Sequence, residues 1–293
     1  MNNGARLVSS ALLRLSAVVP TAGVSIFGIV NVTRDSFSDG GLFLDPRAAI
    51  EHALGLVEDG ADVIDIGAAS SHPEAEPVAV DEEIRRLTPV VGELVRRGIA
   101  VSVDSWQREV QRFAVAAGAA WLNDIRGFAE PAHHRELAAS NARLIVMHSA
   151  SGGTRATRGA TQAEQVWSGI LAFFDARIAQ LEAAGVRRER LVVDPGMGLF
   201  LGADPGPSIV VLRRLAQLRE RYDLPVFVSV SRKSVVGRLA GRPVGQREAA
   251  SLAAELFAVE HGAALIRTHE PRLLRDALAV LEALRVGNAA EQR

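Results

Sequence analysis

The sequence predicts a single closed (β/α)8 barrel, and three observations carry that reading. Eight short apolar runs of β-rich composition alternate strictly with longer stretches of helical period. Glycines stand where helices hand over to strands, the place of a helix C′ residue: Gly60, Gly98, Gly118, Gly185 and Gly262. The length, 293 residues, suits a barrel of about 250 residues with short extensions. The rival architecture is an open, doubly wound sheet. Its first βα turn lacks the Gly-x-Gly-x-x-Gly fingerprint, which counts against a dinucleotide fold.

The predicted strands lie at 24–32, 62–67, 100–104, 121–125, 143–148, 191–194, 226–231 and 264–269. Between the first two, Ala49, Ala53, Leu56 and Val57 fall on one helical face. Between the next two, Ile84, Leu87, Val91, Leu94 and Val95 do the same. Further helices are expected to begin near Arg108, Pro131, Gln162, Pro207, Arg247 and Pro271. No linker or composition shift divides the chain, so residues 23–288 form one domain, with tails at 1–22 and 289–293. The leader at 1–22 could be read as a signal peptide. However, Arg14 interrupts its apolar run and no Ala-x-Ala site follows, so a tail of a cytoplasmic protein is the expectation.

Composition excludes several classes of function. A net charge of −1 offers nucleic acid or an anionic membrane no basic surface. No run approaches the ~20 apolar residues of a membrane span. The chain has no cysteine, which removes disulfides and thiolate metal sites. The histidines form no spaced pair with a carboxylate, so a protein-caged transition metal is not expected. The basic residues are arginines with one exception, Lys233. A lone lysine in such a chain suggests a site that needs a compact ammonium in place of a planar guanidinium.

Barrel enzymes place their chemistry at the C-terminal ends of the strands. Here those ends carry Asn31, Asp65, Asp104, Asn123 with Asp124, His148, Asp194, Ser231 with Arg232 and Lys233, and Arg267 with His269. Each alone could cap a helix; together they predict a shared polar pocket. Its carboxylates and amides suit a flat heterocycle rich in N–H donors, because an aminopyrimidinone edge can give two parallel bonds to one carboxylate. Its cations and His269 suit a phosphate or carboxylate. Two connections, at 33–44 and 68–80, are long for βα loops and read as lids over this face.

The motifs resemble, in order, those of the dihydropteroate synthase family. They are FGIVNVTRDSFSDGG at 27–41, Asp65 with the loop to Pro73, VSVDS at 101–105, LNDIRG at 122–127, DPGMG at 194–198, SVSRKS at 229–234 and IRTHE at 266–270. The resemblance spans residues 25–285 and implies the following roles. Asp65, Asp104, Asn123, Asp194 and Lys233 hold the pterin. Asn31, Arg267 and His269 hold the pyrophosphate, with Asn31 also a ligand of Mg2+, the implied cofactor. Asp35, Phe37, Ser71, His72, Pro73, Phe200 and Ser231 form the p-aminobenzoate pocket and its lids. Lys233, Arg267, His269 and Asp104 make up the catalytic set. The implied partners are the two small substrates, dihydropterin pyrophosphate and p-aminobenzoate, and a second copy of the chain in a homodimer.

The chain also departs from the usual family pattern. Ser70-Ser71-His72-Pro73 stands where Ser-Thr-Arg-Pro is usual, and Leu199-Phe200-Leu201 replaces Phe-Gly-Lys after DPGMG. In these segments and in RTHEPRLLRD at 267–276 it resembles the sulfonamide-insensitive, resistance-type variety. Two alternatives share a pterin pocket: a methyltransferase acting on methyltetrahydrofolate, and an inactive pterin-binding paralogue. A methyltransferase needs no pyrophosphate site, so Ser-Arg-Lys at 231–233 and Arg-x-His at 267–269 favour the synthase.

Overall fold

The structure, a computed structural model, describes residues 23–33, 45–70, 76–150 and 162–291, with side chains of the last helix described as far as Arg285. Eight parallel strands close into a barrel in sequence order: β1 (Ser25–Asn31), β2 (Val63–Gly67), β3 (Val101–Asp104), β4 (Trp121–Asp124), β5 (Arg143–Met147), β6 (Leu191–Asp194), β7 (Val226–Val228) and β8 (Ala263–Thr268). Pairing of β1 with β8 makes the closure, with Phe27 opposite Arg267. The predicted class and the order of the strands are both observed.

The helices form the outer ring. They are α1 (Pro46–Glu58), α2 (Val80–Arg96), α3 (Arg108–Ala116), α4 (His134–Ala139), α5 (Ala163–Ala183), α6 (Gly206–Arg213), α7 (Leu215–Tyr222), α8 (Ser234–Ala240), α9 (Glu248–Glu260) and α10 (Pro271–Glu291). Local chemistry sets their limits. Asp45 caps α1 by accepting from the N–H of Arg47 at 3.2 Å, with Pro46 at the first helical position. Asp81, Glu82 and Glu83 place negative charge on the first turn of α2. All five glycines expected at helix ends have positive φ. Two helices exceed the expected alternation. The segment after β6 splits at Arg214, whose backbone leaves the helical region and whose guanidinium pairs with Glu164 of α5 at 2.6 and 2.8 Å. The other, α8, is a short helix inserted between β7 and α9 and closed by Gly241 at φ 65°.

Strand parity organises the interior. Phe27, Val63, Trp121, Ile145, Val192, Phe227 and Leu265 point inward and fill the lower end of the barrel. Phe27 packs edge-on against Trp121 and Phe227 at 5.1 and 5.2 Å. Residues of the opposite parity (Ile26, Ile64, Leu122, Leu144, Val193) face the helices and join the larger outer core. The aromatic layer is thus the floor on which the site stands. Leu274 and Leu278 of α10 are buried against the barrel, whereas Leu273, Val280 and Leu284 are exposed. No helix among the described residues is long and apolar enough to cross a membrane.

Candidate active site

Two to four residues further along most strands from the apolar layer, the inward positions turn polar. A cavity at the C-terminal ends of the strands is lined by Asn31, Asp104, Asn123, Asp194, Ser231, Lys233, Arg267 and His269. Between them stand Ile29, Ile125, Met147, Met197, Phe200 and Phe227. The period of two in a strand explains the selection: Phe27 and Asn31, Trp121 and Asn123, Val192 and Asp194, Phe227 and Ser231, Leu265 and Arg267 share one face.

The floor is an ionic network. Arg267 donates through Nε to Asp65 and through Nη2 to Asp104, the latter at 3.2 Å. Asn123 donates to the same Asp65 oxygen at 3.4 Å. Asp65 is fully buried and is not among the residues lining the cavity; it lies one layer lower, where it holds Arg267. Its other oxygen, Oδ1, and Oδ1 of Asn123 are buried without a hydrogen-bond partner. Such acceptors are costly unless a ligand supplies N–H groups.

Charges in this chamber are far from their ordinary states. Burial raises Asp194 to about 6, with Lys233 and the N–H of Gly196, at 2.8 Å, pulling the other way. Burial raises Asp104 to about 7 despite Arg267 beside it. Burial lowers the half-buried Lys233 to about 8, partly countered by Asp194. Its ammonium sits 5.1 Å from the centre of the Phe200 ring. His269 is pushed well below its ordinary value by burial, then by Arg232 and Arg267. Its Nδ1 lies 3.0 Å from Ser231 Oγ, which also accepts from the backbone N–H of His269 at 3.2 Å.

Backbone geometry aims these groups. Arg232 has φ 54°, a left-handed conformation that costs a non-glycine residue about 1 kcal/mol. Its backbone N–H is held by Ser251 at 2.8 Å and its guanidinium pairs with Glu270. The turn brings both neighbours, Ser231 and Lys233, to the cavity wall. Gly196, at φ 77°, passes so close to the carbonyl of His148 that a Cβ would stand 2.4 Å away; DPGMG needs glycine there for steric reasons.

Two polar strand ends expected in the pocket are turned away. Asp124 accepts from the N–H groups of Arg126 and Phe128 at 2.7 and 3.1 Å and from Gln111 at 3.0 Å. His148 packs edge-on against Phe173, with Nδ1 3.3 Å from the carbonyl of Pro195. Both have the outward parity. The sequence reading missed Thr33, Ser70, Ser229 and Ser234, which do line the cavity. It also missed the apolar wall formed by Met147, Met197 and Ile125. Asp35, Phe37, Ser71, His72 and Pro73, and most of the two expected lids, lie outside the described residues.

A closed parallel barrel with buried carboxylates, an ammonium and guanidinium groups around a cavity at its C-terminal edge is a small-molecule enzyme of the (β/α)8 class. The family model described as pterin binding enzyme matches residues 27–269. The chain is 56% identical to a type-2 dihydropteroate synthase of Escherichia coli over 260 residues, 89% of this chain and 96% of the relative. It is 51% identical to a type-3 dihydropteroate synthase of Escherichia coli over 259 residues, 88% of this chain and 98% of that one. Among solved structures it is similar to the dihydropteroate synthase of Xanthomonas albilineans with 4-aminobenzoic acid, at TM-score 0.81 and 38% identity, covering 90% of this chain and 94% of that one. The chain belongs to the dihydropteroate synthase family and is a transferase of folate biosynthesis.

Proposed function

We propose that the cavity condenses 6-hydroxymethyl-7,8-dihydropterin pyrophosphate with p-aminobenzoate, giving 7,8-dihydropteroate and pyrophosphate. One observation carries the assignment of roles: acceptors (Asp104, Asn123, Asp194) and cations (Lys233, Arg267) of complementary chemistry share one buried chamber with His269. Asp194 would accept two bonds from the aminopyrimidinone edge, and Lys233 would face the ring's carbonyl side. Arg267 and His269 would meet the pyrophosphate. Asn31, at the same cavity wall, offers a hard amide oxygen. Among the described residues no three His, Cys, Asp or Glu side chains cluster as a metal cage. This donor set fits a Mg2+ held by Asn31 and the phosphate oxygens of the substrate. That ion would neutralise charge on the leaving pyrophosphate.

The arylamine then attacks the exocyclic methylene carbon as the C–O bond to pyrophosphate breaks. Its surplus proton passes to solvent or pyrophosphate. No protein nucleophile is needed; alignment and charge neutralisation carry the acceleration. Pyrophosphate release, coupled to a detection enzyme, tests the reading directly. It requires both substrates, and a preparation that binds pterin without turnover would overturn it in favour of an inactive binder.

Two further expectations belong here. Asp194 must be ionised to accept two bonds and Lys233 protonated to donate. The kcat/KM for the pterin substrate should therefore rise with pH through about 6 and fall through about 8. A profile that stays flat from well below the lower limit to well above the upper one would count against both roles. In calorimetry, pterin pyrophosphate should bind the free enzyme, whereas p-aminobenzoate should bind only once pyrophosphate is present, because its site would be completed by the two long loops. Tight binding of p-aminobenzoate alone would sink the ordered scheme. The proposal also includes a cytoplasmic homodimer, with Leu239, Leu273, Val280 and Leu284 as exposed apolar surface for the contact; sedimentation at micromolar concentration checks it.

A further inference from the structure

Behind the cavity wall, on α9, stands a carboxyl group that the reaction does not use. Glu255 is buried, at 2% exposure, and makes no ion pair among the described residues. The hydroxyls of Thr268 and Ser231 face it, and its Oε1 has no partner. The two hydroxyls are 3.4 Å apart. Each already accepts from a backbone N–H: Thr268 from Glu270 at 3.1 Å, Ser231 from His269 at 3.2 Å, and Ser231 Oγ also lies 3.0 Å from Nδ1 of the His269 ring, which donates to it when that nitrogen carries a proton. Their acceptor sides are thus partly fixed, and the open question is where their protons point.

The protonation state of Glu255 decides that. As an anion it would draw the hydroxyl protons inward and leave Ser231 presenting only lone pairs. It would also have an unpaired charged oxygen in the interior, behind a site proposed to receive anions. The charge that acts on it is that of Glu270, of like sign and itself paired with Arg232. As an acid it needs a single acceptor and places no charge there. Burial raises Glu255 to about 7. An arriving substrate carboxylate or pyrophosphate pushes it further the same way.

We propose that Glu255 is a positioning residue that works as a neutral acid: it donates into the Thr268–Ser231 hydroxyl pair and so turns the Ser231 O–H towards the carboxylate of p-aminobenzoate. The donor chain runs from Glu255 through Thr268 to Ser231 and ends at the substrate. The inference rests on the assignment of Ser231 given above.

The test compares three variants in steady-state kinetics. Glu255→Gln supplies an N–H donor of the same size, so its KM for p-aminobenzoate should stay within about twofold of wild type. Glu255→Leu removes the donor and should raise that KM about 10-fold, about 1.4 kcal/mol, with kcat little changed. A merely structural role would lower the melting temperature without this split. Ser231→Ala should raise the same KM, and adding Glu255→Leu to it should do little more. If Gln harms as much as Leu, a charged carboxylate is needed and the inference falls. An unchanged KM for Glu255→Leu beside a raised one for Ser231→Ala overturns this inference alone. An unchanged KM for Ser231→Ala removes the carboxylate contact itself, and the inference with it.

Discussion

Lys233→Ala is expected to lower kcat/KM at least about 100-fold, about 2.7 kcal/mol, while leaving the melting temperature at pH 7 no lower than wild type. The two halves of this prediction have one origin. The ammonium is held in a chamber where burial lowers it from 10.5 to about 8, so the protein holds it at a cost. A lysine whose folded value is depressed subtracts from stability below that value, and the penalty fades as pH rises from about 8 towards 10.5. Alanine removes the penalty, but it also removes the charge that keeps Asp194 from rising further. The pterin then meets a floor of carboxylates with no opposing cation on that side. Lys233→Arg is expected to fail as a rescue. The guanidinium needs space in the plane of its fork, and the lysine stem is confined between Phe200, 5.1 Å from its nitrogen, and the Gly198 turn, where a Cβ would lie 3.5 Å from the lysine Cβ. A fully active arginine variant, or an alanine variant whose loss of activity merely follows a collapse in melting temperature, would refute the role.

The sequence allowed the fold to be read almost whole because each strand is a short apolar run followed by a polar residue, and five of the helices end at a glycine that precedes a strand. The site was only partly legible. All the polar strand ends looked equivalent in the sequence, yet the barrel sorts them by parity. Asn123 shares the face of Trp121 and enters the cavity, whereas its neighbour Asp124 shares the face of Leu122 and braces the following turn. His148 fails in the same way beside Met147. Counting in steps of two from Phe27, Trp121, Ile145 and Phe227 would have separated them. Asp65 raises a different issue, of depth. The inward position nearest the mouth on β2 is Gly67, so Asp65 lies beneath Arg267 and does not face the opening. Glu255 had no signal at all: a glutamate in an apolar helix, at a position that only the packing of α9 against β8 brings behind Ser231. The split at Arg214 was equally hidden; the guanidinium there pairs with Glu164, fifty residues away in sequence.

Sulfamethoxazole is expected to inhibit this enzyme with a constant at least about 100-fold above the Michaelis constant for p-aminobenzoate. The drug shares the aminophenyl part of the substrate but carries a larger, differently shaped group in place of the carboxylate. A pocket separates the two only by a misfit that the substrate escapes. The structure places Phe200 at the cavity wall beside Leu199, packed with Ile125 and Met147 against Trp106 and facing the Lys233 ammonium. A side chain fixed on several sides cannot swing aside for the bulkier ligand, because repacking it disturbs each neighbour. One such clash is enough to supply the ~2.7 kcal/mol that a 100-fold separation needs. In cells lacking their own synthase, the chain should permit growth at drug levels that stop a sensitive strain. Phe200→Gly should bring the inhibition constant down towards the Michaelis constant while p-aminobenzoate is still used. His72→Arg, in a lid segment outside the described residues, is the companion variant. If it alone restores sensitivity, the discriminating contact lies in the lid and not at Phe200. An inhibition constant for the unaltered enzyme comparable to its Michaelis constant for p-aminobenzoate would mean that the Leu199-Phe200-Leu201 segment changes the wall without changing what the wall admits.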